Sequence, residues 1–266
     1  MNILVIGTGE IEQKIIELCQ KSKFLTKIST ASDNYLDEIF NITYESFEDL
    51  ALKAKALQAD IVIVASKELI LQGIVEVLKR YHLNVISVNQ KWFNLEQSRL
   101  VAKQLLAHYS INTPKIIKAP TKFPLVFKTN SPCVTKRIED FKELLELRES
   151  LADKTAFLEE FLEGEVFHLL SLWDGKNIKH FDLKSTLTEV QQERLEVLQT
   201  KLNFLFSDEK ADFIGFVTTK LIWAKHDWYV LDFVMRPNKK SDLTNVIKSD
   251  FLYLLNSAIY QKLDEI

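Results

Sequence analysis

Ile3-Leu4-Val5-Ile6-Gly7-Thr8-Gly9-Glu10 is the stretch that decides the fold. Four consecutive apolar residues, three of them β-branched, bounded by glycine, read as a short strand buried on both faces. A helix is expected directly after it, from Glu10 to Gln20. The unit then repeats. Helical spacing in Phe47, Leu50, Ala54 and Leu57 precedes the β-rich run Ile61-Val62-Ile63-Val64, and a helix over 68–80 precedes a strand over 83–88. Strands alternating with helices imply a parallel sheet covered by helices, so the fold class is α/β with a Rossmann-like domain at residues 1–92.

Residues 93–266 read differently. A helix over 93–109 leads into a link punctuated by Pro114, Pro120 and Pro124, and Phe123 to Lys128 opens a smaller lobe at about 122–165. A helix is expected over 137–151, with Ile138, Phe141, Leu144 and Leu145 near one face. Strands are expected over 155–161 and 166–173, then a turn at Asp174-Gly175 and a strand ending near Phe181. A helix over 189–205 turns Leu195, Leu198 and Leu202 inward. Two long strands, 213–223 and 228–235, are joined through Lys225-His226-Asp227, and one helix over 243–263 closes the chain. This is an α+β lobe.

Composition narrows the function. A net charge of −3 provides no basic field for nucleic acid. No apolar run approaches membrane-spanning length, and the first is too short for a signal peptide, so the expected setting is cytoplasmic. Cys19 and Cys133 have no metal spacing, and Cys19 reads as a buried thiol. The chain has only six glycines, where ordinary usage would give roughly three times as many. Glycine lets backbone approach a phosphate, so this scarcity argues against phosphate chemistry. His168 and His180 fall on expected strands and read as packing or surface groups.

The pair Gly7 and Gly9 before a helix can seat an anion, yet Glu10 places a carboxylate where a phosphate would lie. Nicotinamide binding would need an acidic ribose partner, for which Asp33 is a weak candidate among turn residues.

Taken in order, several short stretches resemble glycinamide ribonucleotide synthetase (phosphoribosylamine–glycine ligase), an ATP-grasp family of purine synthesis. They are Val5-Ile6-Gly7-Thr8-Gly9 with Glu12, Gly73-Ile74-Val75, Leu95-Glu96-Gln97-Ser98-Arg99, and Phe123-Pro124-Leu125-Val126-Phe127-Lys128. Glu159-Glu160-Phe161-Leu162-Glu163-Gly164-Glu165, Val230-Leu231-Asp232-Phe233-Val234-Met235-Arg236 and Lys262-Leu263-Asp264-Glu265 complete the set. The resemblance implies an ATP-grasp-like second region. It places Gly7, Gly9 and Glu12 at the substrate, and Lys128, Lys136, Glu159, Glu160, Phe161, Leu162 and Glu165 at ATP. Asp232 then falls at Mg²⁺ and Arg236 at the transferred phosphate.

The departures fall on the chemistry. After Lys128 the family's glycine-rich loop is replaced by Thr129-Asn130-Ser131-Pro132-Cys133-Val134-Thr135-Lys136-Arg137. The family's metal-binding Asn becomes Val234, and its G-D-P-E becomes Asn238-Lys239-Lys240-Ser241. Lys67 reverses a charge, the connection between His180 and Phe213 is short, and the family's C-terminal domain is expected to be absent. Two readings follow: a catalytically inactive relative that binds a nucleotide, metabolite or protein, or an active ATP-dependent carboxylate–amine ligase with altered substrates. ATP is compatible with both, whereas Mg²⁺ keeps only the shorter carboxylate of Asp232. Oligomeric state is not encoded in any motif.

Overall fold

The computed structural model describes residues 1–7, 9–32, 39–130, 134–150, 156–183, 186–240 and 242–266. Thr8, Asp33, Ser131 to Cys133, Leu151, Thr155 and Ser241, used above, lie outside the described residues.

The elements run β1 (Asn2–Ile6), α1 (Glu10–Gln20), β2 (Lys27–Ala31), β3 (Phe40–Ile42), α2 (Phe47–Ala56) and β4 (Ile61–Val64). Next come α3 (Lys67–Leu71), α4 (Ile74–Arg80), β5 (Val85–Ile86), α5 (Gln90–Gln97) and α6 (Arg99–His108). The smaller lobe holds β6 (Leu125–Lys128), β7 (Thr135–Ile138), α7 (Phe141–Ser150) and β8 (Phe157–Glu160). The remainder is β9 (Val166–Trp173), β10 (Ile178–His180), α8 (Glu189–Asp208), β11 (Gly215–Ala224), β12 (Asp227–Val234), α9 (Leu243–Val246) and α10 (Phe251–Ile259).

Ile3 to Ile6 are buried on both faces, because β1 is the middle strand of a five-stranded parallel sheet ordered β3-β2-β1-β4-β5. Helix α1 buries Ile11, Ile15, Ile16 and Cys19 against it at helical spacing. Burial pushes the Cys19 thiol up to about 12, which leaves it inert. A four-stranded antiparallel sheet, β10-β9-β11-β12, forms the second layer, and β7-β6-β8 forms the small lobe. The first two sheets are joined where Ser87 N–H donates to the Ile214 carbonyl at 2.7 Å. The small lobe has its own core of Leu125, Phe127, Ile138, Leu144 and Leu158.

Several expectations need correction. Strands β2 and β3 carry Ser29, Thr30 and Asn41, so no apolar run announces them. The helix expected over 68–80 breaks at Gly73, whose φ of 84° ends α3 and begins α4. The one expected over 93–109 starts earlier, on an Asn89 cap, and is interrupted at Ser98, which ends α5 and caps α6. The strand over 83–88 shrinks to Val85–Ile86, since Ser87 turns to the second sheet. Residues 135–138 are strand rather than helix, because they pair antiparallel with β6. Helix α7 therefore begins at Phe141 and leaves Phe141 and Leu145 exposed. The closing helix is split, with Asp250 capping α10 through the N–H groups of Leu252 and Tyr253. Asp227 belongs to β12, so the β11–β12 hairpin turns on Lys225 and His226 alone, at φ 51° and 61°. Among the described residues no helix is long and apolar enough to cross a membrane.

Candidate functional site

Lys128 ends β6 with its side chain 2% exposed. A lysine ammonium has three N–H donors. Here they meet the Leu231 carbonyl at 2.9 Å, Asp232 Oδ1 at 3.1 Å and Glu159 Oε1 at 2.9 Å. The β6–β8 register sets Glu159 opposite Val126, two residues before Lys128, which puts both charges on one face. Glu159 Oε2 forms a 2.8 Å ion pair with Lys103 of α6 and otherwise accepts no hydrogen bond. Lys103 also donates to Thr113 Oγ1 and the Pro114 carbonyl. Burial pulls its ammonium below the usual lysine range, against the opposing pull of Glu159.

Asp232 is held from the other side by Arg99, whose Nε lies 3.3 Å from the same Oδ1 that Lys128 uses. The Arg99 guanidinium also donates to the carbonyls of Thr129 and Val134, tying both ends of the β6–β7 connection to α6. The result is one chain of charges, Lys103–Glu159–Lys128–Asp232–Arg99, where the small lobe meets the large sheet.

The large sheet extends this network. His168, Lys220 and Asp232 face one another across β9, β11 and β12 and therefore share a face. Burial lowers the Lys220 ammonium below its usual range; Asp232 opposes this, and Lys128, Lys240 and Arg99 add to it. Burial also lowers His168, with Lys220 and Lys240 contributing. Next to this row Leu162, Ile222 and Ala224 are buried together, with Tyr229 and Leu231 packed against them.

A second cluster lies at the carboxyl ends of β1 and β4, the point where strand order reverses and ligands of such sheets bind. Gly7, Gly9, Glu12, Ser66, Lys67 and Arg236 are among the residues lining a cavity of about 330 Å³ there. Glu12 is 5% exposed, and burial raises its carboxyl above the usual range. A side chain at position 9 would come within 2.6 Å of Glu12 Oε2, so Gly9 leaves that carboxylate its room. Arg236 pairs with Glu96 Oε1 at 3.2 Å, and Glu96 Oε2 accepts the Met235 N–H. Lys239 pairs with Glu10, so the carboxylate at the start of α1 is already neutralised. A cavity of about 860 Å³ between the β10 end and α8 is lined by His180, Phe181 and Leu195 among others, and by none of the residues expected at substrate, ATP or metal.

The structure thus gathers Lys128, Glu159 and Asp232 in one cluster and Gly7, Gly9, Glu12 and Arg236 in another. Lys136 stands apart, exposed and paired with Glu143 at 2.7 Å. Glu160 points to Lys225 and the Lys115 N–H, Phe161 lies under the Arg137 guanidinium, Leu162 is buried, and Glu165 is exposed. Sequence reasoning missed Arg99, Lys103, Lys220 and Glu96 as members of these clusters. Arg99 and Glu96 stood inside a quoted motif, and nothing local distinguishes the two lysines from surface lysines.

Mg²⁺ requires oxygen ligands in near-octahedral array. Asp232 offers one carboxylate whose Oδ1 already faces two cations, Val234 offers no side-chain oxygen, and Lys220 faces the same carboxylate. Among the described residues no group of three His, Cys, Asp or Glu could hold a metal. The residues do not fit Mg²⁺. A row of cations suits a phosphate chain better than a metal.

Comparison with known proteins agrees with this architecture. Residues 1–96 match the family model of the phosphoribosylglycinamide synthetase N domain. Phosphoribosylamine–glycine ligase of Fusobacterium nucleatum is 26% identical over 321 aligned positions, covering 100% of this chain and 75% of that protein. The enzyme of that name from Caldanaerobacter subterraneus is 25% identical, covering 99% and 76%. The 321 positions exceed the chain's 266 residues, so the first relative has residues opposite gaps in this chain. The solved phosphoribosylamine–glycine ligase of Thermotoga maritima superposes with a TM-score of 0.76 at 16% identity, covering 97% of this chain and 75% of that one. D-alanine–D-alanine ligase of Bacillus anthracis, solved with ATP, gives 0.67 at 18% identity and covers 100% and 99%. With its parallel first sheet, its antiparallel second sheet and its small three-stranded lobe, the chain is similar in sequence to the phosphoribosylamine–glycine ligases along its whole length, shares their fold, and spans about three quarters of their length.

Proposed function

We propose that this protein is a non-catalytic member of its ligase group, which holds a nucleotide or related anionic metabolite without activating it. The observation that carries this reading is the saturation of Lys128. All three of its donors are spent on protein acceptors, and Asp232 Oδ1 is shared by Lys128 and Arg99. Phosphoryl transfer depends on cations and metal-held oxygens arranged around the moving phosphoryl group. In this cleft the charges are arranged around one another. The bifunctional purine biosynthetic protein of Dictyostelium discoideum, 24% identical over 66% of this chain, makes purine precursors the first metabolites to screen.

The test is ADP release from ATP and Mg²⁺ in the presence of mixed amino acids and phosphorylated sugars. Release no greater than in a protein-free blank is expected. Sustained release that disappears in Arg236→Ala would instead establish an active ligase with altered substrates, with Arg236 on the transferred phosphate.

A further inference from the structure

We infer that the row His168–Lys220–Asp232, with Lys240 and Arg99 beside it, is a metal-independent site for the phosphate chain of a nucleotide, in which lysine takes the place of a divalent cation. The inference rests on the binding reading above and names its ligand.

The geometry points this way on three counts. First, the charge balance around Asp232 is lopsided. Arg99, Lys103, Lys128, Lys220 and Lys240 bring five cations to a network that holds two carboxylates, Glu159 and Asp232. A divalent cation would add to the excess, and a polyanion would relieve it. Second, the cations are not equally committed. Lys103 and Lys128 are saturated, whereas neither Lys220 nor Lys240 has an ion pair within 4 Å among the described residues. Lys220 is half-buried and faces Asp232 without a direct ion pair, so its charge costs more than it would on the open surface. Third, the row has an apolar border on one side and an unpartnered buried nitrogen on the other. Lys220 and Ile222 lie on one face of β11, so the row runs directly into the apolar shelf of Leu162, Ile222 and Ala224. At the other border His168 Nδ1 is buried and without a hydrogen-bond partner, leaving a ring nitrogen to meet an oxygen or hydroxyl.

The experiment is calorimetric titration of the full chain with ATP, in EDTA and in excess Mg²⁺. Binding in EDTA is expected to be at least as tight as in Mg²⁺ and to weaken steeply with added salt, as screening dictates. Inorganic tripolyphosphate should compete. Lys220→Met should lose at least tenfold in affinity, Lys220→Arg should stay within about threefold, and the exposed Lys142→Met should match the parent. These comparisons are valid for variants whose melting temperatures match the parent's, and Lys240→Met is the second variant should Lys220→Met fail to fold. Binding at least tenfold weaker in EDTA, failure of tripolyphosphate to compete, or full affinity in both lysine variants would each overturn the inference. ADP release in the Mg²⁺ arm would sink the non-catalytic reading, while EDTA-tolerant, Lys220-dependent binding would still stand.

Discussion

Glu159→Gln is expected to lower stability by about 3–5 kcal/mol, the range for breaking a buried ion pair by removing one partner. Glu159 is 1% exposed and is the carboxylate shared by Lys103 and Lys128. Without its charge Lys128 keeps Asp232, but Lys103 keeps only the Thr113 hydroxyl and the Pro114 carbonyl. A buried ammonium with neutral partners pays its desolvation without a counter-charge. For a chain of this length the loss corresponds to a drop of roughly 10 °C in melting temperature. The pH dependence has a definite sign. The Lys103 ammonium is already below the usual lysine range, and removal of Glu159 takes away a group that raises it. The unfolded chain then binds the proton more tightly than the folded one. The penalty is therefore largest at neutral pH and shrinks as pH rises toward the unfolded lysine value. Thermal melts from pH 7 to 10 read it directly. A loss below 1 kcal/mol, or one independent of pH, would remove Glu159 from the centre of the network.

Gly164→Ala is expected to cost about 3 kcal/mol, at the upper end for overpacking a close contact. The methyl carbon would lie 2.0 Å from the Trp223 carbonyl oxygen and 3.2 Å from Ile222 Cγ1. The first of these atoms is strand backbone and cannot rotate away. The segment after β8 is tied to β11 at this point, because the Trp223 N–H donates to the Glu165 carbonyl at 3.2 Å. Relief requires lifting that segment off β11, which opens the apolar shelf containing Leu162. The readouts are a fall in melting temperature of roughly 6–12 °C and a change in the near-ultraviolet signal of Trp223. A variant that melts within 2 °C of the parent would show that this approach is looser than described.

The parts of the fold legible in sequence are those whose burial is continuous or periodic. Ile3 to Ile6 and Ile61 to Val64 have four apolar residues in a row, and Leu195, Leu198 and Leu202 mark the inward stripe of α8. Strand β2 escaped because parallel pairing with β1, rather than apolar side chains, holds Ser29 and Thr30 inside, and β3 because it is a three-residue edge strand paired only with β2. Helix ends escaped wherever one residue both stops and starts a helix, as Ser98 does. At the candidate site the motif residues Lys128, Glu159 and Asp232 were legible, but their mutual pairing was not. Lys128 and Asp232 are 104 residues apart, and charge neutralisation over that separation exists only in the folded chain. Lys103 and Lys220 look like solvated lysines in sequence, and only their burial reveals them as part of the cleft.

The central claim, that the charges of this cleft exclude a divalent metal, is tested most directly by anomalous diffraction from crystals grown with ATP and Mn²⁺. The account predicts phosphate density beside Lys220 with no manganese peak near Asp232. A manganese peak within about 2.5 Å of the Asp232 carboxylate, the distance at which such cations take oxygen ligands, would contradict it.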